Sequence, residues 1–326
     1  MENRTMYYGK GDVYVYRTNV KPLTGLRKIP ESNVIERNNN IFGWNIKIEV
    51  GGEQLFSSFS EGDNELIVAT DSMKNFIQKH LAYYNGRTIE GFLAFVAERF
   101  LDTYPQMDSI KLSGVETPFM PTTSLINENT QESKLVYNHS RNEQAVASLF
   151  AKKNESNSLE IMEHSSGIQA LQLIKISGNS FAGFIRDEYT TLSEDNNRPL
   201  FIYLNINWNY EKYKDSTGET PALYVCSEQV KDIVTSVFHN LDTLSIQHLI
   251  YQIGLTILER FPQLTDVTFQ SQNRTWETVV DTIPDTDGKV YTEPRPPYGF
   301  QGFALTRDDL NREGRGRIGD KEISQI

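Results

Sequence analysis

The sequence predicts an α+β fold in which one structural unit is used twice, each copy laying a pair of helices on one face of antiparallel sheet. Three observations carry that expectation. A long stretch of the first half matches the second without a gap at a constant shift of 157 residues. The shift sets Thr70-Asp71-Ser72-Met73-Lys74-Asn75 on Ser227-Glu228-Gln229-Val230-Lys231-Asp232, and Asp102-Thr103-Tyr104-Pro105-Gln106-Met107 on Glu259-Arg260-Phe261-Pro262-Gln263-Leu264. Inside each copy apolar residues recur at helical spacing, and around both copies they alternate as in strands.

The elements follow in order. Residues 12–18 and the alternating Ile46, Ile48 and Val50 read as strands with one covered face. A helix starts near Thr70, and a second carries Ile89, Phe92, Leu93, Val96 and Phe100 as one buried stripe. Thr88 stands where its N-cap belongs, and Pro105 follows where a helix cannot continue. A strand is expected at 108–116, where Ile110 and Leu112 match Val267 and Phe269 of the second copy. The polar stretch 120–144 is either a long hairpin or the joint between copies, with an extended segment at 134–140. Strands at 169–177 and through Ile202, Leu204, Ile206 and Trp208 lead to the second helix pair. There Ile246, Leu249, Ile250, Ile253 and Ile257 repeat the stripe behind a Ser245 cap, with Pro262 beyond. A last strand is expected at 300–305. The division this suggests is a first unit over 1–143, a second over 144–307 and a charged, weakly ordered tail over 308–326.

Composition narrows the function. A formal net charge of −11 opposes the phosphate backbone, so nucleic acid is not an expected partner. No apolar run approaches the roughly 20 residues of a membrane span, and the start MENRTMYYGKGD lacks a secretory pattern, so a cytoplasmic protein is expected. Cys226 is the only cysteine, which leaves no internal disulfide and no thiolate metal cluster. The five histidines show no HxH or HExxH spacing, and a literal GxGxxG at Gly314, Gly316 and Gly319 has no room for a following helix. Metal and dinucleotide sites are therefore not expected.

Three segments carry a resemblance. They are the Tyr8-Gly9-Lys10 turn, the run Ile67-Val68-Ala69-Thr70-Asp71-Ser72 with Lys74-Asn75, and Phe181-Ala182-Gly183-Phe184-Ile185-Arg186-Asp187-Glu188-Tyr189-Thr190-Thr191-Leu192. In this order they resemble the urate oxidase family, from about residue 7 to about 305, and the segment Tyr291–Phe300 resembles bacterial members. The resemblance implies tandem tunnelling-fold units, with subunits closing into a β-barrel tunnel, a homotetramer, and substrate sites between subunits. It implies oxidation of urate by O2 and water to 5-hydroxyisourate and H2O2, with no metal and no organic cofactor.

The resemblance also assigns roles. Arg198 would bind the anionic edge of urate with its planar fork, which lysine cannot imitate. Gln247 would grip the opposite edge, Phe181 stack on the ring, Leu192 close the apolar wall, and the main chain at Ile246 offer polar contacts. Lys10, coupled to Thr70 of the neighbouring subunit, would relay the proton, and a desolvated amine makes a useful base. Asp71 would hold the loop against the ligand, and Asn273 would hold O2, peroxide and later the attacking water. Many members carry a histidine two residues after that asparagine; here Thr275 stands there, so a hydroxyl and water would complete the relay. The ending Ile323-Ser324-Gln325-Ile326 lacks an SKL-type signal, in keeping with a bacterial cytoplasmic setting. Two other readings are a pterin-processing enzyme of the same fold, which would want a zinc site, and a purine-binding ring that has lost catalysis.

Overall fold

The structure is a computed structural model that describes residues 5–126, 129–139, 142–194, 197, 199–242, 245–274, 276–286, 288–293 and 296–315. It is α+β and packs as two compact units. The first takes the chain up to Lys28, Val34–Gly167 and Asn209–Cys226; the second takes Ile29–Asn33, Ile168–Trp208 and the chain from Ser227 on.

In the first unit, β1 (Tyr8–Thr18) pairs antiparallel with β2 (Ile41–Gly51), which leads through α1 (Thr70–His80) and α2 (Ile89–Thr103) to β3 (Ser109–Glu116). β3 pairs antiparallel with β2, placing Ile46 opposite Gly114 and Ile48 opposite Leu112. The stretch 120–144 resolves as a hairpin, with β4 (Phe119–Ile126) antiparallel to β5 (Asn129–His139). β6 (Gln144–Lys153) then pairs antiparallel with β3 on its other edge. One face of this sheet is apolar because strand residues alternate faces, and the stripe of α2 covers it. Trp44, Ile46, Ile48, Phe92, Val96, Phe100, Ile110 and Leu112 are all essentially inaccessible.

β7 (Leu159–Lys175) carries the chain past the unit boundary and is followed by β8 (Leu200–Tyr210). β8 alternates buried and half-buried residues along its whole length, the pattern read from Ile202, Leu204, Ile206 and Trp208. In the second unit the strand order runs β7, β8, β9 (Leu264–Arg274), β10 (Gly299–Thr306), with β9 and β10 antiparallel. α3 (Ser227–Asn240) and α4 (Ile246–Arg260) supply the helix pair, and Leu249, Ile253, Ile257, Val267, Phe269 and Leu305 close the core.

The repeat is legible in the caps. Thr88 Oγ1 accepts from Gly91 N and Ser245 Oγ from His248 N, both at 3.2 Å. The C-caps Tyr104 and Phe261 share nearly the same backbone, φ −121, ψ 81 and φ −122, ψ 80. One expectation needs correction. Residues 308–312, expected as weakly ordered tail, belong to helix α5 (Arg307–Arg312), because Thr306 and Asp309 form a reciprocal capping box and Leu310 is buried. Residues 316–326, with Gly316 and Gly319, lie outside the described residues.

Candidate functional site

Three patches hold the residues singled out from sequence, one in the first unit and two in the second. In the first unit, Lys10 sits on β1 opposite Ile48, just before a register shift between Lys10 and Val13. Its neighbour Gly9 is there by necessity, since a Cβ would lie 1.8 Å from Ile48 O. Tyr8 ties this strand to the start of α1: its hydroxyl donates to Val68 O at 3.1 Å and accepts from Val68 N at 2.8 Å. Thr70 is therefore held two residues from a clamp that also holds Lys10. Asp71, exposed, accepts from Lys74 Nζ at 2.5 Å and from Asn75 Nδ2 at 3.0 Å. The Lys74 ammonium lowers its carboxyl pKa, with smaller help from Asn75 and from Lys10. Lys10 and Asp71 thus feel each other within a single chain. The motif TDS-KN reads physically as a helix start that fixes its own acid.

The second patch is the loop that follows β7. Phe181 stacks on Phe184 at 4.9 Å with an interplanar angle of 14°. The run from Asp187 to Thr190 closes on itself: Asp187 Oδ1 accepts from Thr190 Oγ1 at 2.9 Å and from Tyr189 N at 3.0 Å. Arg186 lies over the Phe184 ring and donates to Leu192 O at 3.4 Å. This internal bonding leaves Ile185 and Tyr189 strongly exposed, at 88% and 82%, and Leu192 at 45%. Arg198 and Thr275 lie outside the described residues.

The third patch is the start of α4. Ser245 caps the N–H of His248, so the N–H groups of Ile246 and Gln247 point outward with the positive end of the helix. Ile246 is buried at 6% and anchors the turn, whereas the Gln247 side chain is exposed. Asn273 is the next-to-last residue of β9, half-buried, with Oδ1 accepting from Gln301 Nε2 at 3.0 Å. Gln301 in turn accepts at Oε1 from Ser271 Oγ at 2.8 Å. Neither Gln301 nor Ser271 was found from sequence, because their meeting depends on the register of β9 and β10. A cavity of about 540 Å³ opens along β9 and β10, lined by Ser271 and Gln301 and by Arg274, which lies between the rings of Tyr203 and Tyr298 at 4.3 and 4.9 Å. None of the residues predicted from sequence lines it.

The matching position in the first unit shows what the second keeps open. Glu90, the counterpart of Gln247, is 6% exposed. Tyr213 Oη donates to Glu90 O at 2.7 Å, and Thr88 Oγ1 lies 3.0 Å from Thr217 O and 3.2 Å from Ser216 O, so the segment 213–217 seals that helix end. Burial pushes the Glu90 carboxyl up to about 7, against the lowering effect of the Ser166 hydroxyl that donates to it at 2.6 Å. The two helices share their capping geometry and differ in access at the second residue.

Comparison with known proteins places this geometry. A family model described as Uricase matches residues 164–301. The chain is 61% identical over 312 residues to a uric acid degradation bifunctional protein of Bacillus sp. strain TB-90, covering 96% of this chain but only 62% of that protein's length. It is 47% identical over 310 residues to a uricase of Haloferax volcanii, covering 94% of this chain and 100% of the relative. The crystal structure of a uricase from Bacillus fastidious superposes with a TM-score of 0.93 at 54% identity, covering 98% of each chain.

Proposed function

Because the chain belongs to the uricase family, we propose that it oxidises urate with O2 and water to 5-hydroxyisourate and H2O2, without a metal or an organic cofactor. The observation that carries the reading is the open start of α4: outward N–H groups, the positive end of a helix dipole and an exposed carboxamide at Gln247 on one turn. Urate at neutral pH is a flat anion with donors and acceptors on both edges, and such a turn suits one of them. Gln247 and the Ile246 main chain hold that edge, Arg198 binds the other in two places, and Phe181 and Leu192 wall the ring.

In this reading the ligand patches of one protomer meet the Lys10 patch of a neighbour in a homotetramer of tandem tunnelling-fold units, 1–143 and 144–307, working in the cytoplasm. The exposed apolar side chains Ile185, Tyr189 and Leu192 support a covered loop in the assembly. The Tyr8 clamp supports a Lys10–Thr70 relay carried by one chain, in place of the Thr70 of a neighbouring subunit expected from the resemblance. The relay draws a proton from bound urate, and the electron-rich dianion can then pass an electron directly to O2. Asp71 keeps the relay turn rigid through Lys74 and Asn75. Asn273 holds the oxygen species and then the water that adds to the oxidised ring, with Thr275 in the place of the usual relay histidine.

The test is oxygen uptake with urate after exhaustive dialysis against a chelator. Uptake matched by loss of the urate ultraviolet band and by peroxide is expected; activity that returns only with added metal overturns the cofactor-free reading. Lys10→Met is expected to lower kcat about 100-fold or more with KM little changed, whereas Arg198→Gln mainly raises KM. Equal effects of both changes on both parameters would contradict this division of labour.

A further inference from the structure

β9 turns Val267, Phe269 and Ser271 toward the helices, and by alternation Asn273 continues that face. The ladder sets Ser271 opposite Gln301 and Asn273 opposite Gly299, so Gln301 lies diagonal to Asn273 on the same face. Three polar side chains then form a directed row. Ser271, 1% exposed, donates to Gln301 Oε1, and Gln301 Nε2 donates to Asn273 Oδ1. Gly299 completes the arrangement, since a Cβ there would lie 2.7 Å from the same Oδ1.

A primary amide has one acceptor oxygen and one donor nitrogen, and binding either end fixes the other. With Oδ1 committed to Gln301, the Asn273 Nδ2 group turns away from β10 as a pair of N–H donors. We propose that Gln301, oriented by Ser271, is a positioning residue that holds the Asn273 amide with its N–H groups toward the reacting oxygen. The inference rests on the urate oxidation proposed above and on the place of Asn273 in it. Its physical content is electrostatic. Oxygen gains negative charge as it becomes peroxide, so fixed donors stabilise it, whereas an amide free to flip would offer a repelling carbonyl for part of the time. The row fixes the amide beforehand, and Gly299 leaves room for that orientation.

The test uses the whole chain and steady-state oxygen uptake with varied urate. Gln301→Glu keeps size and shape, but its carboxylate only accepts, so it should draw in Asn273 Nδ2 and reverse the amide. The expected result is a kcat loss on the order of 100-fold, with KM for urate within about twofold of wild type. Gln301→Leu, which adds no charge and so guards against a failure of Gln301→Glu to fold, should lose about tenfold. In an Asn273→Ala background Gln301→Leu should cost nothing further, because a residue acting through Asn273 has nothing left to position. Wild-type kcat in both Gln301 variants, or losses that multiply with that of Asn273→Ala, would overturn the inference while leaving urate oxidation intact. Wild-type kcat in Asn273→Ala would overturn it together with the role given to Asn273. A wild-type enzyme with no urate-dependent oxygen uptake would remove the parent reading, and this one with it.

Discussion

Glu90 and Gln247 are each the second residue of the second helix in their copy, and their surroundings set them apart. Gln247 faces outward; Glu90 is enclosed by Tyr213, Ser166 and the 213–217 segment, with Oε2 buried and unpartnered. Its carboxyl, raised by burial to about 7, holds its proton in the folded state where the unfolded chain, near the ordinary glutamate value of 4.5, has already released it. The sign follows. From about pH 4.5 to about 7 the folded state binds the extra proton, so stability falls as pH rises, and above about 7 the full cost is present. Glu90→Gln, which keeps the acceptor for Ser166, should therefore leave stability nearly unchanged near pH 4.5 and raise it by about 3 kcal/mol at pH 8. Denaturant melts at the two pH values check this; an equal shift at both would rule out ionisation as the cause. The same change imitates the second copy, whose glutamine carries no such cost.

Among the helices, α4 is fixed at both ends. Ser245 fixes its start, and its far end is closed by Arg307, whose guanidinium donates to Leu264 O at 2.9 Å, Leu258 O at 2.7 Å and Phe261 O at 2.8 Å. A planar cation there serves Leu258 O at the end of the helix together with two carbonyls of the turn that follows, and meets the negative end of the helix dipole. A lysine could reach only part of that set from a single nitrogen. Arg307→Lys should lower stability by about 2 kcal/mol, a fall in Tm of roughly 2–4 °C, seen by calorimetry with the urate KM little changed. A large rise in KM with an unaltered Tm would show that Arg307 serves ligand binding rather than the helix. Arg260 adds a second hold at the same end, paired with Glu31 at 2.7 Å.

For the assembled molecule, the decisive question is whether one site draws on two chains. In the homotetramer proposed above, Lys10→Met and Gln247→Ala enzymes should each be nearly inactive. Refolded together, they should recover roughly a quarter of wild-type activity, because random assortment places an intact Lys10 beside an intact Gln247 in that share of shared sites. No recovery in verified mixed tetramers would mean that each site is built within one chain. The same experiment bears on the Tyr8 clamp, which moves Lys10 and Thr70 as a pair.

The sequence by itself determined the α+β class, both helix pairs with their caps at Thr88 and Ser245, and most of the strands, since spacing of apolar residues and local capping chemistry act within a few residues. It also marked Lys10, Thr70 and Asp71 through motifs that are contiguous in the chain, and Gln247 through the family resemblance. It did not show that 307–312 is helical, because charge hid a capping box with one buried leucine. The sealing of the α2 start at Thr88 and Glu90 by contacts spanning 123 to 129 positions and the row from Ser271 through Gln301 to Asn273 were decided only by the tertiary structure. Burial and strand register are relations between distant segments, and no local pattern of residues encodes which copy of a repeat has its second helical residue closed over and which has it exposed.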